Sequence, residues 1–198
     1  MLYFQSDNHY FHTSVISFCK RPFKDVTEMN AEMIKRYNSR VKPTDTCIFV
    51  GDFSFGNSQQ TEEILKQLNG TKILVIGNHD RANAINKFDL AVTSMELLIH
   101  NKKVTVKHYP LRWKKYSHIM EKLTRWIKRV RNPRYLDRMP YNNGQIHIHG
   151  HSHSKVRFQD NQIHVGVDAW DFYPVSIKEL SKYIDSYTAK NSNLRKNT

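Results

Sequence analysis

The sequence predicts an α/β fold with mixed sheet pairing, and three observations carry that prediction. Apolar strand-like runs alternate with helical patterns through the first half of the chain, a βαβα order that favours a sheet of parallel strands. The second half is richer in strands, which argues for mixed or antiparallel pairing there. Polar clusters follow three of the early runs: "DNH" after residues 2–6, "GD" after 46–50 and "GNHD" after 72–76. Open α/β sheets bind their ligands at those carboxyl ends. The length, 198 residues, suits a single domain with a full core.

The elements follow in order. Residues 2–6, "LYFQS", match the letters a protease leaves when it removes a purification tag. Asp7 and His9 nevertheless need a strand to present them, and residues 2–6 are the stretch placed to supply it. Met29, Met33, Ile34, Tyr37 and Val41 recur at helical spacing over 26–41, and Pro43 ends that helix. "TCIFVGD" is a continuous apolar run, the pattern of a strand buried on both faces. Ser58 caps a second helix with an inner face of Ile64, Leu65 and Leu68, and Gly70 stops it. "KILVIGNHD" repeats the strand, glycine, polar pattern. Residues 89–93, 95–100 and 103–108 read as further strands, and "KVRFQDNQIHVGV" as a hairpin around Asp160-Asn161. Ser176 and Glu179 form a capping box for a last helix. A single domain over 1–186 is therefore expected, with a polar, frayed tail over 187–198.

The balance of 31 basic against 18 acidic residues gives a net charge of +13. Such a field attracts polyanions, namely nucleic acid, nucleotides or an anionic surface. Two cysteines read as reduced thiols of an intracellular protein. No basic region followed by an apolar run opens the chain, so no signal peptide is visible and a cytoplasmic location is expected. No apolar run approaches the length of a membrane span. Residues 112–140 form a basic insert with ten Lys or Arg against Glu121 and Asp137. Trp113, Tyr116, Met120, Leu123, Ile127 and Val130 fall there at helical spacing. The segment reads either as a solvated basic helix packed on the core or as a rim that draws in polyanionic substrate. Its place between His108 and His151 favours the rim.

Asp7, His9, Asp52, Asn78, His79 and Asp80 gather in the polar clusters, followed by His108 after "VTVK" and by His151 and His153 in "HGHSH". Carboxylates, imidazoles and an amide oxygen make a donor set for divalent transition metals. The donors outnumber what one ion takes, which points to two ions sharing a carboxylate. Two-metal sites activate water and clamp the oxygens of a phosphoryl centre. Glycines precede Asp52, Asn78 and His151, where the backbone must turn sharply to aim each ligand inward. His147 and His149, alternating with Ile146 and Ile148, share one face of a strand. The balance of readings makes neither a metal ligand, although His149 could stand just behind the site.

The ordered set Asp-x-His, Gly-Asp, Gly-Asn-His-Asp, a lone His after a strand, then Gly-His-x-His resembles the calcineurin-like metallophosphoesterases over residues 2 to about 178. "VGVDAWDFYPVS" resembles the closing segment of the small bacterial and phage members. The resemblance implies a four-layer sandwich of two mixed β-sheets flanked by helices. It implies that Asp7, His9 and His153 hold one metal, that Asn78, His108 and His151 hold the second, and that Asp52 bridges both with a hydroxide that attacks phosphorus. The ions would be manganese, or iron or zinc in its place. His79 would protonate the leaving group, with Asp80 orienting its ring. Where the family often has glycine before the histidine that follows Asp-x-His, this chain has Phe11 before His12. Contacts to substrate are expected from His12, Arg81, Lys128 and Arg129. The expected activity is hydrolysis of a phosphodiester in a nucleotide or nucleic acid. A phosphomonoesterase or nucleotide pyrophosphatase is the alternative within the enzyme class, and a nucleic-acid-binding protein without turnover is the alternative outside it.

Overall fold

The structure, a computed structural model, describes residues 1–112 and 138–196. The basic helix expected over 112–140, with Lys128 and Arg129, falls outside these residues except at its ends.

Two five-stranded sheets make the frame. The first has the order β10-β1-β2-β3-β4, built from β1 (Leu2–Gln5), β2 (Thr46–Phe49), β3 (Thr71–Val75), β4 (Leu90–Val92) and β10 (Val175–Ser176). Strands β1 to β4 run parallel and β10 is antiparallel to β1. The second has the order β5-β6-β7-β9-β8, from β5 (Met95–Ile99), β6 (Lys102–Val106), β7 (Ile146–His149), β8 (Phe158–Gln159) and β9 (Gln162–His164). Its three central strands are parallel and its two edge strands antiparallel to their neighbours. Both sheets are therefore mixed, as the strand order of the sequence predicts.

The apolar run of β2 shows why the layers stack. Cys47 and Phe49 point to a core formed with Met29, Met33 and Tyr37 of α2 (Val26–Arg40) and Ile64 and Leu65 of α3 (Ser58–Gln67). Ile48, in β2, and Val50, just after it, point the other way, onto Val104, Val106, Ile148 and Ile163 of the second sheet. A strand covered on both faces has no place for polar alternation, hence the unbroken run. The "LYFQS" stretch is the strand that Asp7 and His9 require. Gln5 is 1% exposed, pairs with Phe49 across the sheet, and donates its amide to the Phe172 carbonyl at 3.3 Å.

Two helix ends differ from the sequence reading. The cap of α3 is Asn57 rather than Ser58. Its side chain accepts from the Gln60 N–H at 2.8 Å, and the Gln60 side chain accepts from the Asn57 N–H at 2.9 Å, a reciprocal box one residue earlier. The last helix, α5 (Ile177–Lys196), starts at the expected Ser176–Glu179 box but continues where a frayed tail is expected. Residues 187–196 are polar but contain no glycine or proline, so nothing in their backbone stops the helix. Three short elements complete the described residues: α1 (Thr13–Phe18), α4 (Ala82–Ile85) and a 3₁₀ turn at Val167–Ala169. Among the described residues no helix is long and apolar enough to cross a membrane, and both cysteines are free.

Candidate metal centre

The site forms where loops leaving the first sheet meet loops leaving the second. After β1 the chain runs beside the segment after β2. The Asp7 N–H donates to Gly51 O at 3.1 Å, His9 N–H to Asp52 O at 3.1 Å, and Tyr10 N–H to Phe53 O at 3.0 Å. This ladder sets Asp7, His9 and Asp52 side by side. The second sheet contributes through His151, whose N–H donates to both Asp7 carboxylate oxygens at 2.9 Å. Of the glycines expected to turn the backbone, Gly51 does so with φ 86°. Gly150 serves differently, since a Cβ there would collide with the Ser6 hydroxyl and the Asp7 carboxylate.

Asp7, His9, Asp52, His151 and His153 all hold left-handed backbone, with φ of 57°, 54°, 55°, 69° and 47°. For residues with a Cβ this conformation costs free energy, and it persists only where surrounding contacts over-determine it. These are five of the twelve non-glycine residues with positive φ among the described residues.

The donors expected from the sequence converge in two groups. Ligand atoms of Asp7, His9 and His153 lie within 4.8 Å of one another, and so do those of Asp52, His108 and His151. His9 Nε2 is buried without a hydrogen-bond partner, 3.8 Å from Asp52 Oδ2. Burial, then His153, pushes the His9 pKa down to about 2, so its lone pair stays free. In the other group His108 Nδ1 bonds to Val50 O at 2.8 Å, which turns Nε2 inward. That Nε2 lies 3.0 Å from Asn78 Oδ1, 3.1 Å from His151 Nδ1 and 3.4 Å from Asp52 Oδ2. Burial opposes charge on His108, but the Asp52 carboxylate, with Asp7, outweighs it and raises the pKa to about 9. His108 Nε2 thus lies among three electron donors, a place that suits a cation. Burial and then His108 hold His151 down to about 4. The orphaned imidazole nitrogen, the converging lone pairs and the buried carboxylates fit divalent metal ions. Asp52 Oδ2 faces both groups.

The remaining sequence candidates fall around this cluster. His79 donates its backbone N–H to Asp52 Oδ1 at 2.9 Å, while its exposed ring lies 4.9 Å from Phe55. His12 lies at 3.0 Å between its Nδ1 and that of His9. Arg81 is exposed and lines a cleft with Ser54, Phe55, Asn78 and His79. Asp80 departs from its expected role. Its carboxylate accepts from the N–H groups of Asp52 at 3.0 Å, Gly77 at 2.7 Å and Phe53 at 2.9 Å, and makes no hydrogen bond to the His79 ring. It braces the loops after β2 and β3, because three orphan amides compete for its oxygens. The rings of His147 and His149 stack on one strand face, as the alternation predicts, and neither belongs to a donor group among the described residues.

Sequence reasoning missed a buried pair behind the site. Arg21 Nε donates to Asp168 Oδ1 at 2.9 Å and its Nη2 to Asp168 Oδ2 at 3.0 Å. The same guanidinium donates to the carbonyls of Asp7 at 2.7 Å and Asn8 at 2.8 Å. Asp168 Oδ2 then lies 2.9 Å from His153 Nδ1, which directs the ring's other nitrogen away from Asp168. The Cys19 sulfur is 3.3 Å from that same Nδ1, but burial, then Asp168, pushes the thiol up to about 11. Ligand atoms of Cys19, His153 and Asp168 lie within 4.8 Å of one another, a third donor group behind the other two. Asp168 stands inside "VGVDAW", the segment already singled out for its resemblance; Arg21 carries no such signal.

A family model described as a calcineurin-like phosphoesterase superfamily domain matches residues 4–169. The uncharacterized protein MJ1445 of Methanocaldococcus jannaschii is 39% identical over 82 residues, 40% of this chain. The match spans 47% of that relative's length. The gene 66 protein of Mycobacterium phage L5 is 27% identical over 194 residues, covering 85% of this chain and 86% of its own. A solved structure of a protein of unknown function from Aquifex aeolicus, AQ665, superposes with a TM-score of 0.64 at 25% identity, covering 92% of this chain and 98% of that one.

Proposed function

The chain belongs to the calcineurin-like phosphoesterase superfamily, a family of metal-dependent phosphoesterases, and from that premise we propose that it hydrolyses phosphodiesters of nucleotides or nucleic acid. Asp7, His9 and His153 would hold one divalent ion, Asn78, His108 and His151 the other, and Asp52 both. Manganese is the first choice, with iron or zinc in its place. When bound, such ions polarise phosphoryl oxygens and lower the pKa of water. The observation that carries the reading is the place of Asp52, whose Oδ2 lies 3.8 Å from His9 Nε2 and 3.4 Å from His108 Nε2.

The chain's own groups supply the rest. His79, anchored through its backbone to Asp52, presents its imidazole at the cleft, where it would hand a proton to the departing oxygen. Arg81 in the same cleft would orient the phosphate, and His12, stacked on Phe55 at the edge of that cleft, would contact substrate. The charge of +13 raises the local concentration of anionic substrate, and Lys128 and Arg129 would extend that field along a polynucleotide.

With manganese, bis(p-nitrophenyl) phosphate should be hydrolysed faster than p-nitrophenyl phosphate, and a chelator should abolish both reactions reversibly. Preference for the monoester would make this a phosphomonoesterase. A salt-sensitive gel shift of nucleic acid with no release of product would make it a binding protein.

The buried Arg21–Asp168 pair yields a second expectation. Asp168→Asn keeps the volume but removes the charge that faces His153 and balances Arg21. Affinity for one of the two metal ions should fall about 10–100-fold, the usual effect of losing a partner behind a ligand. Equilibrium dialysis with metal analysis measures it, and unchanged stoichiometry and affinity would exclude His153 as a ligand held by Asp168.

A further inference from the structure

Two phenylalanines stand exposed at the mouth of the metal centre. Phe18, at the end of α1, is 66% exposed, and Phe55, after β2, is 37% exposed. Leaving a phenyl ring in water forfeits the gain that burial gives it, and paired rings at a polar site suggest a ligand that covers them. Their placement is specific. The Phe18 ring lies 6.1 Å from that of His153 and 6.3 Å from that of His12. His12 stacks on Phe55 at 4.0 Å with 16° between planes, and Phe55 lies 4.9 Å from His9 and 4.9 Å from His79. His12 and Phe55 thus form one stacked face beside the cleft that holds Arg81, and Phe18 stands at 70° to His12 on the His153 side.

We infer that Phe18, His12 and Phe55 form a stacking subsite for a flat aromatic group carried by the alcohol that is esterified to the reacting phosphate, and that this group is the base of a nucleoside. The inference rests on the phosphodiesterase reading of the metal centre. Every nucleobase offers a π-face, and stacking on aromatic side chains holds bases without reading their identity. The adjoining cleft, lined by Asn78, His79 and Arg81, offers a polar, cationic seat for the phosphate beside the three rings. The net charge of +13 suits an anionic nucleotide over a neutral aromatic compound.

The test is calorimetric binding to the manganese-loaded protein of three phosphonates, whose P–C bond resists hydrolysis: methylphosphonate, phenylphosphonate and the 5′-methylenephosphonate of adenosine. The adenosine compound should bind at least about tenfold tighter than methylphosphonate, the gain expected of one stacked base. Phe18→Ala should remove most of that advantage and Phe18→Trp should retain it. Phenylphosphonate equal to the adenosine compound would overturn the nucleobase assignment. Equal affinity for all three, or a loss in Phe18→Ala that falls equally on methylphosphonate, would overturn the subsite while leaving the phosphodiesterase reading standing. No binding of any of the three would overturn the subsite, whereas the phosphodiesterase reading falls only if bis(p-nitrophenyl) phosphate is not hydrolysed with manganese.

Discussion

Asp52→Asn should reduce metal content from two ions per chain to less than one and lower kcat/KM by well over about a hundredfold. The magnitude is set by comparison, because loss of a group one step behind a ligand already costs 10–100-fold, and Asp52 faces both donor groups directly. The substitution is nearly isosteric. The amide oxygen can keep the His79 N–H bond that Asp52 Oδ1 accepts at 2.9 Å. What changes is the other position, where an NH₂ would point at His9 and His108 instead of a carboxylate oxygen. Two consequences separate this from misfolding. The circular dichroism and thermal transition of the metal-free variant should match those of the metal-free parent. His108, raised to about 9 chiefly through Asp52 against the opposing effect of burial, should titrate at lower pH by NMR once that carboxylate is neutral. Retention of two ions with near-normal turnover would sink the shared-carboxylate assignment.

His79→Ala should behave in the opposite way, keeping both metals and losing turnover. The His79 contact that the cluster uses is its backbone N–H, which alanine retains. The imidazole is exposed at the cleft, so its removal leaves no buried cavity. Loss of a positioned proton donor costs about a hundredfold or more. The signature is in the leaving group: an alkoxide needs the proton, whereas p-nitrophenolate leaves well without it. The variant should therefore lose more against alkyl esters than against p-nitrophenyl esters. An equal loss on both would assign His79 to charge stabilisation rather than proton transfer, and loss of metal would show it to be a ligand.

Local chemistry was legible in the sequence, and long-range satisfaction was not. The run "CIFV" announces a strand covered on both faces because every position must be apolar there, and Cys47, Ile48, Phe49 and Val50 are all buried. The positions after each run give the site because strand ends deliver loops to one edge, and Asp7, Asp52 and Asn78 do meet. The brace made by Asp80 was hidden, since no pattern says which backbone amides a carboxylate will satisfy. The Arg21–Asp168 pair was hidden for a stronger reason. Its members are 147 residues apart and meet only after both sheets exist. The Asn57 cap was missed by one position because Asn and Ser are both good caps, and only the reach of Gln60 back to Asn57 selects between them.

The cross-sheet bond from His151 N–H to Asp7 has a consequence for the chain as a carrier of information. Asp7, His9, Asp52, Asn78 and His108 all precede the basic segment, and His151, His153 and Asp168 all follow it. Neither half contains a complete donor group for either ion. Yet each half carries strands that pair across the divide, β7 against β6 and β10 against β1. On the proposed ligand assignment, a break between Arg112 and Arg138 would divide the molecule into two complements, neither with a full donor set, and metal binding would report their reunion.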